Sequence, residues 1–335
     1  MEKVLVTGSS GFIGGFLVEE GLNRGMQVWA GVRRSSSRKY LKQAGLQFAE
    51  LNFSDVGLLT EQLRRHKEEH AGWDYIIHCA GVTKCKDKRD FMRGNYEATK
   101  HFVEALTALD MVPKKFIYLS SLSIFGPVRD DDYMPIGDND RPMPNTEYGR
   151  SKVRSEEFLQ GLPTFPFVIF RPTGVYGPRE RDYFLMVKSI AQHVDFTVGS
   201  QRQDLTFVYV KDLVKAVYLG VEKAPLRRAY FVSDGQTYDS RRFSDLIREE
   251  LGHPMMVRIT CPLWLLRIVT LCGEWWARLT GRVTALNNDK YNILKQRNWR
   301  CDIRPLVEEL GYQPDYLLER GVKETVAWYK QEKWI

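Results

Sequence analysis

Residues 3–14 read Lys3-Val4-Leu5-Val6-Thr7-Gly8-Ser9-Ser10-Gly11-Phe12-Ile13-Gly14. The first four form a short apolar run, typical of a strand that is buried on both faces. The T-G-x-x-G-x-x-G pattern that follows predicts a tight turn at Gly8, a close approach of the backbone to a pyrophosphate at Gly11, and close helix–strand packing at Gly14. The helix that starts here would direct free amides and its positive dipole end towards phosphates. We therefore predict cofactor contacts at Gly8, Ser10, Gly11, Phe12, Ile13 and Gly14.

Strand-like and helical patterns alternate through the first half of the chain. Strands are predicted at 3–6, 26–32, 47–51, 75–79, 115–120 and 165–171, and helices at 16–22, 56–66, 95–109 and 147–162. This alternation predicts an α/β fold with a doubly wound parallel sheet. We assign residues 1–178 to the cofactor-binding domain and 179–335 mainly to a smaller substrate-binding lid. A strand-like segment at 207–210 and the helix after Asp212 predict that residues 205–225 return to the main sheet.

Composition excludes several classes of protein. Of 335 residues, 43% are hydrophobic and 27% are charged, as in ordinary globular domains, so a disordered chain is excluded. The net charge of +7 favours anionic ligands such as phosphates. Acidic residues are spread along the whole chain, and we therefore expect no nucleic-acid partner.

The five cysteines indicate a reducing compartment. Their number is odd and no C-x-x-C pair occurs, so neither a disulfide framework nor a zinc site is predicted. No signal peptide is apparent at the N-terminus. We expect a cytoplasmic protein without a metal site.

The segment after the second predicted strand bears on the choice between NAD and NADP. NAD sites place a carboxylate there to accept a hydrogen bond from the ribose 2′-OH. Residues 31–40 contain no Asp or Glu but contain Arg33, Arg34, Arg38 and Lys39. Because an arginine can pair with a 2′-phosphate as a bidentate fork, we expect NADP rather than NAD, with Arg33 as the main contact. The alternative is a solvated basic turn.

A second group of residues carries the chemistry of a proton transfer. Tyr148 and Lys152 form a Y-x-x-x-K pair, which places both side chains on one face of the predicted helix. A nearby ammonium and the positive nicotinamide ring would favour the phenolate form of the tyrosine. Ser121 directly follows a predicted strand, at the edge where ligands bind parallel sheets. These three residues are the predicted catalytic set.

With these motifs the chain resembles the extended short-chain dehydrogenase/reductase family, which includes nucleotide-sugar epimerases and dehydratases. The resemblance covers nearly the whole chain, and in that family Ser121 would be the catalytic serine. It also rests on the segments 78–81, 95–99, 120–126, 171–178, 207–212 and 309–314.

The resemblance implies further contacts and an assembly. Asn52 and Phe53 would flank the adenine, and Ala80 and Gly81 would lie along the cofactor. Pro172 and Thr173 would lie near the nicotinamide, and Lys152 would also bind the nicotinamide ribose. A homodimer through a four-helix face is the assembly implied.

Two departures from the family pattern bear on the substrate. Leu122 and Ser123 stand where dehydratases carry an acidic pair, which disfavours elimination of water. Leu205-Thr206 stands where nucleotide-sugar members often carry Arg-Asp, whose arginine holds the diphosphate; Arg202 is the nearest substitute.

The resulting expectation is an NAD(P)-dependent enzyme acting on a secondary alcohol or ketone, with a nucleotide-sugar epimerase as the first hypothesis. The first alternative is an NADPH-dependent reductase or dehydrogenase of an apolar, dihydroflavonol-like or hydroxysteroid-like substrate. The second alternative is a non-catalytic NADP sensor, against which the complete Ser–Tyr–Lys set argues.

The segment 261–281 is unusually apolar and contains Trp264, Trp275 and Trp276. Its apolar run of about a dozen residues is shorter than the roughly 20 needed to span a bilayer, so no membrane span is expected. An interfacial helix at a membrane surface is one interpretation. We favour a helix buried against protein, either as a lid over an apolar pocket or as an oligomer face.

Overall fold

The computed structural model describes residues 1–85, 87–280 and 288–335, with the side chains of 274–280 excepted. The strands of this part of the chain are β1 (Lys3–Thr7), β2 (Gln27–Val32), β3 (Gln47–Glu50), β4 (Tyr75–His78), β5 (Lys115–Leu119), β6 (Phe167–Pro172), β7 (Gly174–Tyr176), β8 (Val194–Val198), β9 (Asp204–Leu205), β10 (Phe207–Tyr209), β11 (Arg228–Val232), β12 (Tyr238–Asp239) and β13 (Val257–Cys261).

The helices lie between these strands and continue to the C-terminus. They are α1 (Phe12–Asn23), α2 (Val56–His70), α3 (Arg89–Phe91), α4 (Ala98–Ala108), α5 (Glu147–Gln160), α6 (Asp182–Ala191), α7 (Val210–Lys223), α8 (Arg242–Glu250), α9 (Leu263–Thr280), α10 (Asn288–Lys295), α11 (Arg304–Leu310) and α12 (Leu318–Gln331). A π-helical segment (Met92–Glu97) precedes α4, and a 3₁₀ turn (Leu122–Ile124) follows β5.

Seven strands form one parallel sheet in the order β11-β6-β5-β4-β1-β2-β3. The chain winds outward in both directions from β1 and β4, so the strand order reverses between these two neighbours. Ligands of such sheets bind in the crevice at the carboxyl ends of the strands where this reversal occurs. The predicted doubly wound α/β fold is confirmed.

Alternating side chains of the sheet fill two separate cores. Val4 and Val6 belong to a core that includes residues of α1 and α7, whereas Leu5 belongs to a core that includes residues of α2 and α4. All three side chains are fully buried. This explains why residues 3–6 read as a continuous apolar run rather than an alternating one.

The return of the chain to the main sheet differs from the prediction. We expected residues 207–210 to supply the returning strand, but β10 pairs with β7 in a separate two-stranded sheet. The strand that joins the main sheet is β11, which pairs with β6 at its edge. The helix α7 does return to the first domain, because it packs against α1. The sequence analysis did not predict β11, which lies at the edge of the sheet.

The described part of the chain does not bury the apolar side chains of α9, contrary to the lid expected from the sequence, whereas the oligomer face, the other expectation, would leave them exposed in a single chain. Trp264 is 66% exposed, and Leu265, Ile268, Val269 and Leu271 are also exposed. The side chains of Trp275 and Trp276 and the residue Gly281 lie outside the described residues. Among the residues that the structure does describe, no helix is both long and apolar enough to cross a membrane.

A buried ion pair fastens α5 to the sheet. The Arg171 guanidinium of β6 donates to the Glu156 carboxylate of α5, with 2.6 Å between Nη2 and Oε2. Both residues are buried, and the guanidinium also lies 5.3 Å from the ring centroid of Phe125 and 5.4 Å from that of Phe231. Because α5 carries Tyr148 and Lys152, this pair helps to place the predicted catalytic residues.

We expect Glu156→Ala to lower the free energy of unfolding by about 3–5 kcal/mol, because it leaves the Arg171 charge buried without a partner. The matched control is Glu157→Ala, one residue along the same helix, which removes an exposed pair with Arg154. That change should cost less than about 1 kcal/mol. Urea unfolding of both variants measures the difference, and equal losses would contradict a structural role for the buried pair.

Candidate active site

The glycine-rich turn leaves a space that only backbone can fill. Gly8 has a φ of +69°, and a β-carbon there would lie 2.8 Å from the amide nitrogen of Ala80. A β-carbon at Gly14 would lie 2.2 Å from the carbonyl oxygen of Gly8. The turn is closed by a hydrogen bond from the Gly11 amide to that same oxygen, 2.9 Å long. The first turn of α1 therefore packs directly on the end of β1.

The N-terminus of α1 suits a phosphate group. Its N-cap is Gly11, which has no side chain to bind the first helical amides, and its first turn contains no acidic residue. The amides of Phe12, Ile13 and Gly14 are those at a helix start that lack intrahelical acceptors. A dinucleotide pyrophosphate fits this cradle, because the amides and the helix dipole both favour an anion.

A buried histidine connects the two strands at the switch point. His78 Nδ1 is 2.9 Å from the Thr7 hydroxyl, and its Nε2 is 3.2 Å from the Thr99 hydroxyl. The Thr7 hydroxyl also accepts the Ala80 amide at 3.2 Å. Burial and, to a smaller extent, the nearby Lys152 lower the pKa of His78 to about 3. The neutral ring thus ties β4 to β1 and holds the segment with Ala80 over the glycine turn.

Asn95 plays a similar part for the segment after β4, and its role was missed from sequence. Its amide nitrogen donates to the Val82 carbonyl at 3.1 Å and to the Ser151 hydroxyl at 2.8 Å, and its Oδ1 accepts the Val82 amide at 2.7 Å. A β-carbon at Gly81 would lie 2.8 Å from this Oδ1. The fully buried amide therefore holds Gly81 beside α5.

Tyr148 and Lys152 lie on the face of α5 that points to the carboxyl end of β5. The Lys152 ammonium donates to the Leu119 carbonyl at 2.7 Å and lies 4.7 Å from the ring centroid of Tyr118. Burial has the largest effect on the pKa of Tyr148, but Lys152 and, more weakly, Ser121 also act on this pKa, in the lowering direction. The structure therefore brings Ser121, Tyr148 and Lys152 together at one strand end.

Burial of the Tyr148 phenol raises its pKa above 10, and this effect outweighs the lowering by Lys152 and Ser121. The lysine thus acts in the expected direction, but the protein side chains alone do not favour phenolate. At neutral pH the hydroxyl keeps its proton, so this arrangement can donate a proton to an oxygen held beside Ser121.

Ser121 itself is held by its own turn. Its hydroxyl oxygen accepts the amide of Ser123 at 3.2 Å and the Ser123 hydroxyl at 2.9 Å. This leaves the Ser121 hydroxyl proton free to be donated elsewhere. Ser123 therefore supports Ser121. From the sequence, Ser123 was noted only because it stands where dehydratases carry an acidic residue.

A residue of the C-terminal part caps the helix that carries the tyrosine. The Asp289 carboxylate of α10 accepts the amides of Glu147 at 2.9 Å and Tyr148 at 3.4 Å. The Thr146 hydroxyl accepts the Gly149 amide at 2.9 Å. Nothing in the sequence spacing links Asp289 to Tyr148, because 141 residues separate them. The contact arises only when α10 packs against the start of α5.

The residues predicted for the adenosine end line the neighbouring strand ends. Arg33 directly follows β2 and is exposed, and its guanidinium forms no ion pair within the described part of the chain. Arg38 and Lys39 instead lie over the rings of Phe48 and Tyr40.

The Asn52 side chain accepts the Ser54 amide at 3.1 Å. The Phe53 ring packs edge-on against His78, with 5.6 Å between the ring centroids.

The predicted nicotinamide end lies at the carboxyl end of β6. Pro172 is the last residue of this strand, and the Thr173 hydroxyl donates to the Thr206 carbonyl at 2.8 Å. The Thr206 hydroxyl in turn donates to the Trp299 carbonyl at 2.5 Å. Thr206 is thus engaged in a structural link between the two parts of the chain.

Arg202, the nearest candidate to replace the arginine missing at Leu205, is paired with a neighbouring carboxylate. Its guanidinium binds Asp204 in a bidentate pair, with both distances 2.7 Å, and lies 4.7 Å from the ring centroid of Tyr133. A polar cavity of about 460 Å³ opens beside this pair. Its lining residues are Thr197, Gly199, Ser200, Gln201, Arg202, Gln203, Asp204, Thr237, Tyr238, Asp239, Ser240 and Arg241, and none of the predicted catalytic residues is among them.

The chain was compared with known proteins. Residues 4–232 match the model of the NAD dependent epimerase/dehydratase family. A sterol-4-alpha-carboxylate 3-dehydrogenase (decarboxylating) of Dictyostelium discoideum is 26% identical over 72% of this chain and 74% of its own. A UDP-glucose 4-epimerase of Vibrio cholerae is 24% identical over 98% of this chain and 96% of its own. The crystal structure of UDP-glucose 4-epimerase from Thermotoga maritima with UDP-glucose superposes with a TM-score of 0.78, at 20% identity and 99% coverage of both chains.

We expect Gly14→Ala to weaken nucleotide binding, because its β-carbon would force the Gly8 carbonyl out of the cradle. Overpacking of about 1–3 kcal/mol would correspond to roughly a 5- to 140-fold loss of affinity. The control is Gly72→Ala, where a β-carbon would meet nothing within 4 Å. Calorimetric titration with NADPH and NADH compares the two variants, and unchanged affinity of Gly14→Ala would show that the cofactor does not approach this turn.

Proposed function

The chain belongs to the NAD dependent epimerase/dehydratase family, and on this basis we propose that it is an NADPH-dependent oxidoreductase that interconverts a ketone and a secondary alcohol on a lipophilic substrate. Within it, residues 1–178 would bind the cofactor and most of 179–335 would select the substrate. When bound, the nicotinamide supplies the hydride or accepts it. All other tasks fall to side chains at the carboxyl end of the sheet.

In the proposed reaction Tyr148 moves the proton. Reduction of a ketone requires one proton at its oxygen in addition to the hydride. The protonated phenol favoured by burial supplies that proton, and the reverse reaction returns it. Ser121 donates its hydroxyl hydrogen to the same oxygen and fixes its position. Lys152 stabilises the phenolate left after the transfer and is itself held by the Leu119 carbonyl.

The choice of a lipophilic substrate rests on Leu205. In nucleotide-sugar enzymes that the chain resembles, an arginine next to an aspartate often binds the diphosphate at this point of the chain. Here that position is the apolar Leu205. The next residue, Thr206, forms hydrogen bonds within the protein, and Arg202 is paired with Asp204. The similarity to a sterol dehydrogenase over 72% of the chain also supports a lipophilic substrate.

A nucleotide-sugar epimerase is the second candidate. The polar cavity beside β9 carries two arginines, Arg202 and Arg241, and its volume of about 460 Å³ lies in the range of small-molecule sites. The similarity to the Vibrio cholerae UDP-glucose 4-epimerase extends over 98% of the chain. In that case the hydride would return to the other face of the same carbon without net oxidation or reduction.

We propose NADP(H) as the preferred cofactor, with Arg33 as the residue that selects it. Support comes from the exposed position of Arg33 directly after β2, beside the cradle formed by the glycine turn. The remaining contacts would follow the resemblance: Asn52 and Phe53 at the adenine, Ala80 and Gly81 along the cofactor, and Pro172 and Thr173 at the nicotinamide.

The homodimer and the cytoplasmic location remain part of the proposal. All five cysteines are free, which supports a reducing compartment.

The mechanism is tested with Tyr148→Phe. We expect NADPH-dependent reduction of lipophilic cyclic ketones, followed by absorbance, to fall by about 10²–10⁴ in this variant. Cofactor affinity should stay within a few fold, because only the proton-transferring oxygen is lost. Retention of most of the activity would refute the assigned role of Tyr148.

The nucleotide recovered from denatured protein distinguishes the two candidate functions. Tightly retained NAD, together with interconversion of UDP-glucose and UDP-galactose, would establish epimerisation and overturn the reductase proposal. An empty site with micromolar affinity for NADPH, and turnover of cyclic ketones alone, is the expected result.

To test the choice of cofactor, we expect Arg33→Ala to weaken the binding of NADPH and to leave the affinity for NADH nearly unchanged. A charge-assisted hydrogen bond contributes about 1.5–3 kcal/mol, or roughly 10- to 150-fold in affinity. The effect should shrink with added salt, because the contact is near solvent. Arg34→Ala, which removes the neighbouring exposed cation, is the matched control and should change affinity much less. Equal affinities of the wild type for the two nucleotides would show that the basic run is a solvated turn.

A further inference from the structure

The helix α9 turns its apolar side towards solvent. At 100° per residue, positions 264, 265, 268, 269, 271 and 272 fall within an arc of about 160°. These residues, Trp264, Leu265, Ile268, Val269, Leu271 and Cys272, are all exposed and none is charged. We call this arc the apolar face of α9. Amphipathic helices of globular proteins normally bury such a face.

The opposite side of α9 already has its partners. Leu266 and Thr270 are buried there, and the Arg267 guanidinium lies 5.1 Å from the ring centroid of Tyr291 and donates to the Asn288 side chain. The helix is therefore seated on α10 by its polar and buried side. Its orientation is set by these contacts, which leave the apolar face uncovered within the described part of the chain.

The strand pair before α9 also exposes apolar side chains. In the parallel pair of β8 and β13, Phe196 is the register partner of Ile259, and both are exposed, as is Val257. The polar residues Arg258 and Asp195 alternate with them and form an ion pair. Only Pro262 separates this pair of strands from α9, so apolar exposure continues from one element into the next.

The charge of this region indicates what covers the apolar face. Residues 254–300 contain eight arginines and lysines but only two carboxylates. Three carboxylates outside this segment pair with Arg258 and Arg297, so the segment together with these partners keeps a net charge of +3. In a symmetric dimer the same surface meets itself, and these cations would be brought against one another. Anionic lipid head groups would instead supply counter-charges around an apolar helix face.

We propose that the apolar face of α9 docks on a bilayer surface that contains anionic lipids. Trp264 and Ile268 would insert at the level of the head groups, and lipid phosphates would balance the net positive charge of the segment. The helix would lie in the interface and not cross it, in agreement with its length and composition. The same contacts that seat α9 on α10 connect the docked surface, through Asp289, to the start of the helix that carries Tyr148.

The test is sedimentation of the full-length protein with vesicles of phosphatidylcholine and phosphatidylglycerol at three to one, compared with pure phosphatidylcholine. We expect the wild type to bind the anionic vesicles, to bind the neutral ones at least tenfold more weakly, and to dissociate as salt is raised. The double variant W264E/I268E should lose at least tenfold in partitioning. Leu58→Glu, which changes an exposed leucine on α2, is the matched control and should bind as the wild type does.

A second measurement keeps the proposal testable if the double variant fails to fold. Brominated lipids quench tryptophan fluorescence only at close range, and we expect them to quench the wild type. Trp264→Phe preserves an apolar side chain, so it should still bind vesicles but show clearly less quenching. Equal quenching of the two proteins would overturn the insertion of Trp264.

Two other outcomes would overturn the proposal. The wild type remaining in the supernatant with both kinds of vesicle would refute docking on a bilayer. Light scattering that shows a dimer, converted to a monomer by W264E/I268E, would assign the face to a second copy of the chain. Neither result depends on a substrate or on turnover. A failure of the membrane proposal would therefore not contradict the proposed reaction, which has its own test.

Discussion

The site depends on a close approach of backbone to backbone at the end of β1. A β-carbon at Gly14 would lie 2.2 Å from the Gly8 carbonyl oxygen, and one at Gly8 would lie 2.8 Å from the Ala80 amide. Three segments meet there: the end of β1, the first turn of α1 and the chain after β4. Because no side chain intervenes, the helix N-terminus faces the crevice where the strand order reverses, and an anion can reach its amides.

The helix α5, which carries the proposed catalytic residues Tyr148 and Lys152, is fixed relative to that crevice by three contacts. Glu156 binds Arg171 of the sheet, Lys152 donates to the Leu119 carbonyl, and Asp289 caps the first turn. Each contact joins α5 to a different element. In the proposed reaction this placement would let the protonated phenol of Tyr148 meet a substrate oxygen beside Ser121, which is the geometry that proton donation requires.

The local sequence pattern was enough to predict the central strands, which are buried on both faces of the sheet. Residues 3–6, 75–78 and 115–119 read as continuous apolar runs because each strand lies between two cores, and the Y-x-x-x-K spacing needs only one turn of helix. Prediction failed where partners are distant. The strand at 207–209 pairs outside the main sheet, the returning strand is 228–232, and residues 92–97 form a π-helical turn in which Asn95 is buried.

The sequence by itself determined the parallel α/β architecture, the glycine turn, and the type and spacing of Ser121, Tyr148 and Lys152. These features are encoded over a few residues, through steric limits on backbone and the periodicity of one element. Only the tertiary structure decided that Asp289 caps the helix α5, that burial has a larger effect than Lys152 on the pKa of Tyr148, and that the described residues leave the apolar face of α9 uncovered. The burial of a side chain and its long-range contacts depend on residues that are distant in sequence and meet only in the folded chain. A local sequence pattern therefore cannot predict them.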